Sequence, residues 1–252
     1  MNSSSRKVAL VTGAARRIGA AIARRLQADG YDLALHYRHS QAEMDALLAE
    51  LNAARAGSVI ALQADLAAFD RLPELIARTV GHFGRLDALV NNASAFHPTS
   101  FGSVTPAQWD ELFASNARAP FFLSQAAAPH LQAAGGGIVN IADIHGETPL
   151  AGYSVYCIAK AALLMLSKSL AVELAPKVRV NAIAPGAILW PEKTGTDTGK
   201  DDAAQAALLA RTPLGRTGTP EDIAAATAWL LGDASGYVTG QTLHVDGGRG
   251  LG

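Results

Sequence analysis

Val8-Ala9-Leu10-Val11-Thr12-Gly13-Ala14-Ala15-Arg16-Arg17-Ile18-Gly19 runs from a short apolar stretch into a glycine turn and on into a helix. Val8 to Val11 reads as a strand, and apolar residues recur at helical spacing from Ile18 to Ala28, where Gly30 stops them. A strand, a glycine turn and a helix in that order form the context a dinucleotide-binding fingerprint requires. Gly13 lets the backbone turn sharply, Gly19 lets the helix pack closely, and the helix start presents free N–H groups to a pyrophosphate. Alone the motif is weak and also describes an ordinary βα turn, because Arg17 stands where a glycine is expected.

Outward from this turn the alternation continues to the end of the chain. Strands are expected at 31–37, 59–63, 86–90, 138–142, 178–183 and 243–245. Helices are expected at 42–56, 72–83, from Pro106 behind a Thr105 cap as far as Gly135, at 155–174 and at 220–231. Strands that are apolar throughout are buried on both faces, as in a parallel sheet. Alternating β and α then gives an α/β fold: a single Rossmann-type doubly wound domain over residues 1–252. Residues 189–212, with Trp190, Pro191 and Gly195, are long for a connection in a compact domain. They read as a substrate lid with one short helix near 203–210.

Composition narrows the partners. The 252 residues are 49% hydrophobic and 17% charged, enough for a full core. A formal net charge of −1 gives no case for nucleic acid or an anionic membrane. No apolar run is expected to span a membrane, and the polar start leads directly into a strand, leaving no room for a signal peptide. The scattered histidines predict no metal site. The one cysteine, Cys157, excludes an internal disulfide and fits a reducing, cytoplasmic compartment. It is read as a packing residue rather than a nucleophile.

The second strand ends in His36-Tyr37-Arg38-His39-Ser40, with no Asp or Glu from Leu33 to Ser40. An acid there would bind a free ribose 2′-OH. Cation and hydroxyl suit a 2′-phosphate instead, so NADPH is expected over NADH, although Arg38 could also be a solvated surface residue. Farther on, Tyr156 and Lys160 stand four apart and share a helix face. An ammonium beside a phenol is expected to depress the phenol's pKa and make it a usable acid. Thirteen residues before Tyr156 is a carboxylate, Asp143, which could feed it a proton or merely cap the following turn.

These residues, with Asn91-Asn92-Ala93, Asn116 and Pro185-Gly186, resemble the short-chain dehydrogenase/reductase family over essentially the whole chain. The resemblance implies a seven-stranded parallel sheet flanked by helices, nicotinamide chemistry and a homotetramer, with interfaces at the helix after Tyr153 and at 243–252. It assigns Tyr156 as proton donor and Lys160 to the nicotinamide ribose. Asn116 would hold a water that links Lys160 to solvent. Asp65 and Leu66 would touch adenine, Asn92 and Ala93 would line the cofactor channel, and Pro185, Gly186 and Ile188 would hold the carboxamide. Gly13, Arg17, Ile18 and Gly19 would form the phosphate turn. Bland readings of Asn116 as a helix kink and Asp65 as a strand-end cap also exist.

Three features resemble the pteridine reductases within that family: Arg17 in the turn, Asp143 where a serine is usual, and Asn91-Asn92-Ala93-Ser94-Ala95-Phe96. The resemblance implies a pterin substrate bound by Arg17, Ser94, Phe96, Asp143 and Tyr156. Phe96 would stack on the flat ring, unless it only plugs the core, and Tyr156 with Asp143 would protonate a ring nitrogen. A dihydromonapterin reductase, a general carbonyl reductase and a non-catalytic NADP sensor are the alternatives.

Overall fold

The computed structural model describes residues 6–188 and 205–251. Seven strands form one parallel sheet: β1 (Val8–Val11), β2 (Asp32–Tyr37), β3 (Val59–Gln63), β4 (Ala88–Asn91), β5 (Gly137–Ile141), β6 (Arg179–Pro185) and β7 (Thr242–Val245). Their spatial order is β3-β2-β1-β4-β5-β6-β7. The direction of winding therefore reverses between β1 and β4, and in such sheets the crevice at the strands' carboxyl ends at this point is where ligands bind.

The helices are α1 (Arg17–Ala28), α2 (Gln41–Ala54), α3 (Leu72–Phe83), α4 (Pro106–Phe113), α5 (Ala119–Ala134), α6 (Ser154–Leu174) and α7 (Pro220–Leu231). Alternation along β1 divides the core: Ala9 and Val11 face the cluster of α1, α2 and α7, while Val8 and Leu10 face that of α3 and α5. All four β1 residues are buried, as strands covered on both faces must be. Expected element ends shift by two residues at most, within the usual uncertainty of termini.

Two expectations need correction. The single helix expected from Pro106 is three pieces, α4, a π-helical turn at Ala114–Arg118, and α5. Thr105 does cap its start, accepting from the Gln108 N–H at 3.3 Å. The second correction concerns apolar length: α6 has 21 residues and contains an 18-residue stretch with a mean hydropathy of 1.6, long and apolar enough to cross a membrane by those measures alone. It buries Leu163, Ala171 and Leu174 against the sheet, so its apolar character serves the core. Of the expected lid, 189–204 lie outside the described residues, and 205–210 are helical.

Candidate active site

The phosphate turn is built by close approach. Gly13 has φ +61°, and a Cβ there would sit 2.9 Å from the Cα of Ala93. At Gly19 a Cβ would meet the Gly13 carbonyl at 2.2 Å, so α1 can pack here only through glycine. Arg17 adopts φ 50°, the left-handed region a glycine would occupy without cost. Its Nη2 donates to the Ile188 carbonyl at 3.4 Å, joining the turn to the chain beyond β6. Asn92 braces the turn from β4: its Nδ2 donates to the carbonyls of Thr12 (2.9 Å) and Gly13 (3.0 Å).

A cavity of about 420 Å³ opens at the switch point. It gathers Gly13, Arg17, His36 to Ser40, Asp65, Leu66, Asn92, Ala93 and Ser94. Arg38 and His39 are exposed there, whereas His36 and Tyr37 are buried in β2. Burial lowers the pKa of His36 from 6.5 to about 4, so it is neutral at pH 7 and the positive charge of the stretch comes from Arg38. Tyr37 donates its hydroxyl to Gln41. Asp65 lines the cavity and also accepts from the Ala67 N–H at 2.9 Å, the local cap of the bland reading. Ile18 lies in the first turn of α1, Pro185 ends β6, and Gly186 and Ile188 follow it. Arg16, Glu111 and Ser115 also line the cavity and were missed. Arg16 was legible as a second cation in the fingerprint, but nothing in sequence pointed to Glu111.

Ser94 leads from this cavity to the chemistry. Asp143 Oδ2 accepts from the Tyr156 hydroxyl at 2.7 Å, while Oδ1 accepts from the His145 N–H at 2.8 Å. The carboxylate is therefore both the cap of the 144–146 turn and the partner of Tyr156. Lys160 is 2% exposed, its Nζ donates to the Ile141 carbonyl at 2.9 Å, and it lies 5.7 Å from the centroid of the Tyr156 ring. Burial lowers its pKa to about 8, with Asp143 pulling it upward.

The expected depression of Tyr156 is corrected. Burial, the negative charge of Asp143 and the hydrogen bond to it hold the phenol well above its ordinary pKa, with the Ser94 hydroxyl acting in the opposite sense. A phenolate here would face a carboxylate in a desolvated place. Tyr156 thus keeps its proton at neutral pH, which suits an acid in a reduction.

Asn116 sits in the π-helical turn, 1% exposed. Its Nδ2 donates to the carbonyls of Ala95 and Leu112, both at 2.9 Å, and its Oδ1 accepts from Ser94 Oγ at 2.7 Å. The π-helical turn fits the kink reading, and the side chain engages Ser94. Phe96 is 55% exposed and is no core plug. One face stacks on Tyr153 (4.6 Å between centroids, 13° between planes), and its ring meets Tyr156 edge-on at 4.8 Å. Tyr153 was missed, although it lies one helical turn before Tyr156. Cys157 is buried and accepts from the Leu150 N–H at 3.4 Å, a packing residue.

The glycine cradle, the start of α1 and the cations at the rim fit the diphosphate of a nicotinamide dinucleotide, whose reduced nicotinamide ring would supply hydride when bound. A family model described as enoyl-(acyl carrier protein) reductase matches residues 13–249. An uncharacterized oxidoreductase of Methylorubrum extorquens is 40% identical over 96% of this chain and 97% of its own. A 3-oxoacyl-(acyl-carrier-protein) reductase of Staphylococcus aureus is 37% identical over 96% of this chain and 97% of its own. Pteridine reductase 1 of Leishmania tarentolae is 36% identical over 97% of this chain and 96% of its own. With the parallel seven-stranded sheet and the Tyr156–Lys160 pair, these matches establish that the chain belongs to the short-chain dehydrogenase/reductase family of oxidoreductases.

Proposed function

We propose that this oxidoreductase uses NADPH to reduce pterins, taking dihydropterin to tetrahydropterin, with oxidised pterin and dihydrofolate as further substrates. The observation that carries the reading is the 2.7 Å bond between Tyr156 and Asp143. A pterin ring nitrogen must gain a proton as hydride reaches the adjacent carbon. When Tyr156 gives up its proton another must reach the phenolate, and Asp143 Oδ2, in hydrogen-bond contact with the phenol, is the group placed to relay it. Oδ1 is committed to the His145 N–H, which leaves Oδ2 as the oxygen that faces the phenol. The half-exposed ring of Phe96, beside Tyr156, offers a stacking surface for a flat heterocycle. Arg16, Arg38 and His39 at the rim favour a 2′-phosphate.

The second reading is reduction of a simple carbonyl, supported by the equally similar acyl-carrier-protein reductase; a dihydromonapterin reductase is a variant of the first reading. The test is NADPH and NADH oxidation with dihydrobiopterin, dihydromonapterin, dihydrofolate and an activated ketone. Pterin turnover with NADPH is expected. Ketone turnover without pterin turnover would select the second reading.

The same proposal includes a cytoplasmic homotetramer. Ile158, Met165 and Val172 are 48%, 63% and 80% exposed at seven-residue spacing on α6, an apolar stripe suited to a second copy in a closed assembly. A monomer by light scattering at micromolar concentration would refute that part.

A further inference from the structure

His36 occupies an unusual place in the phosphate turn. It is 2% exposed, at the carboxyl end of β2. Its Nδ1 accepts from the Gly13 N–H at 3.2 Å, so the ring proton must sit on Nε2, which donates to the Ala64 carbonyl at 3.1 Å. The backbone carbonyl of His36 takes the next amide of the turn, Ala14, at 2.9 Å. Two successive amides of the phosphate turn therefore end on one residue. The same ring reaches the segment that leads into Asp65 and Leu66, and both segments border the cavity.

We propose that His36 is a positioning residue for the dinucleotide: a neutral strut, acceptor on one side and donor on the other, that sets the separation of the Gly13 turn from the Ala64 segment. It thereby fixes the distance between the resting places of the diphosphate and the adenine. The inference rests on reading the cavity as a nicotinamide-dinucleotide site and is independent of the substrate. The chemistry calls for an imidazole. A ring with one acceptor and one donor on opposite edges joins an N–H to a carbonyl across a gap too wide for one direct hydrogen bond. Protonation would put an N–H against the Gly13 N–H and undo the strut. The burial that keeps the ring neutral at pH 7 is therefore part of the device.

The test uses the full chain near neutral pH, with NADPH affinity by fluorescence titration, kcat at saturating NADPH, and Tm. His36→Phe keeps a flat ring and removes both bonds. His36→Asn keeps an acceptor near Nδ1, and His36→Gln a donor near Nε2. The Phe variant is expected to bind NADPH about tenfold more weakly or worse, the scale of one or two lost hydrogen bonds, with kcat little changed. The Asn variant should recover most of the affinity and the Gln variant little of it, at similar Tm. Wild-type affinity in the Phe variant would overturn the strut and leave the cofactor reading intact. Equal loss in all three, following Tm, would overturn it in favour of simple packing. Rescue by Gln alone would overturn the role of the Gly13 bond. Failure of the wild type to bind either NADPH or NADH would instead sink the cofactor reading, and the strut with it.

Discussion

Replacing Asp143 separates its two roles, because each oxygen does one thing. Oδ1 caps the 144–146 turn through the His145 N–H, and Oδ2 meets the Tyr156 hydroxyl. Asp143→Asn keeps an oxygen for the cap and a polar partner for the phenol but holds no transferable proton. Asp143→Ser keeps only a hydroxyl. Loss of a cap costs about 0.5–2 kcal/mol, and both variants retain a capping type, so Tm should move by a few degrees at most. Loss of general acid catalysis costs roughly 10²-fold or more, which is about 2.7 kcal/mol of barrier. Pterin reduction in both variants should therefore fall by about that factor, with NADPH affinity preserved. Turnover of an activated ketone, where present, should survive better in the Ser variant. Removing the carboxylate also removes a cause that raises the Tyr156 pKa, so the alkaline limb of the ketone pH–rate profile should move down. The assay is NADPH oxidation with dihydrobiopterin and with the ketone, read as kcat and kcat/KM across pH. Equal pterin turnover in wild type and the Ser variant would show that the carboxylate is incidental and remove the main support for a pterin substrate.

Three further outcomes follow from the geometry. Phe96→Ala should weaken pterin binding by about 0.5–1.5 kcal/mol plus the lost apolar contact while leaving NADPH binding intact; pterin KM unchanged in the variant would refute the stacking role. Arg17→Gly should relieve a left-handed backbone worth roughly 1–2 kcal/mol, offset in part by glycine's entropy, so Tm should hold or rise while activity falls; a lower Tm with full activity would reverse the argument. The lowered pKa of His36, pushed down by burial with Ala64 and Asp65 opposing, links stability to pH. The unfolded chain takes up this proton below its ordinary 6.5, but the folded protein refuses it until about 4. Stability should then drop by about 3 kcal/mol as pH falls through that window, and His36→Phe should flatten the drop in chemical denaturation curves.

The sequence carried the fold because central strands such as β1, β4 and β5 are apolar enough to be buried on both faces and strands alternate with helices along the chain, so the order of elements had one sensible packing. It carried Gly13, Gly19, Tyr156, Lys160 and Asp143 because residue type and spacing, together with the family resemblance, constrain them. What it could not carry is which polar group meets which. Helical spacing put Lys160 beside Tyr156, but the tertiary structure turned its ammonium to the Ile141 carbonyl and left Asp143 as the partner of the phenol, reversing the expected pKa. It placed Asn116 on Ser94, brought Tyr153 beneath Phe96 and buried His36 as a neutral ring between two loops far apart in the chain. The physical reason is common to all four: a side chain's charge state and orientation depend on burial and on partners supplied by other elements, and those partners are fixed only when the sheet closes.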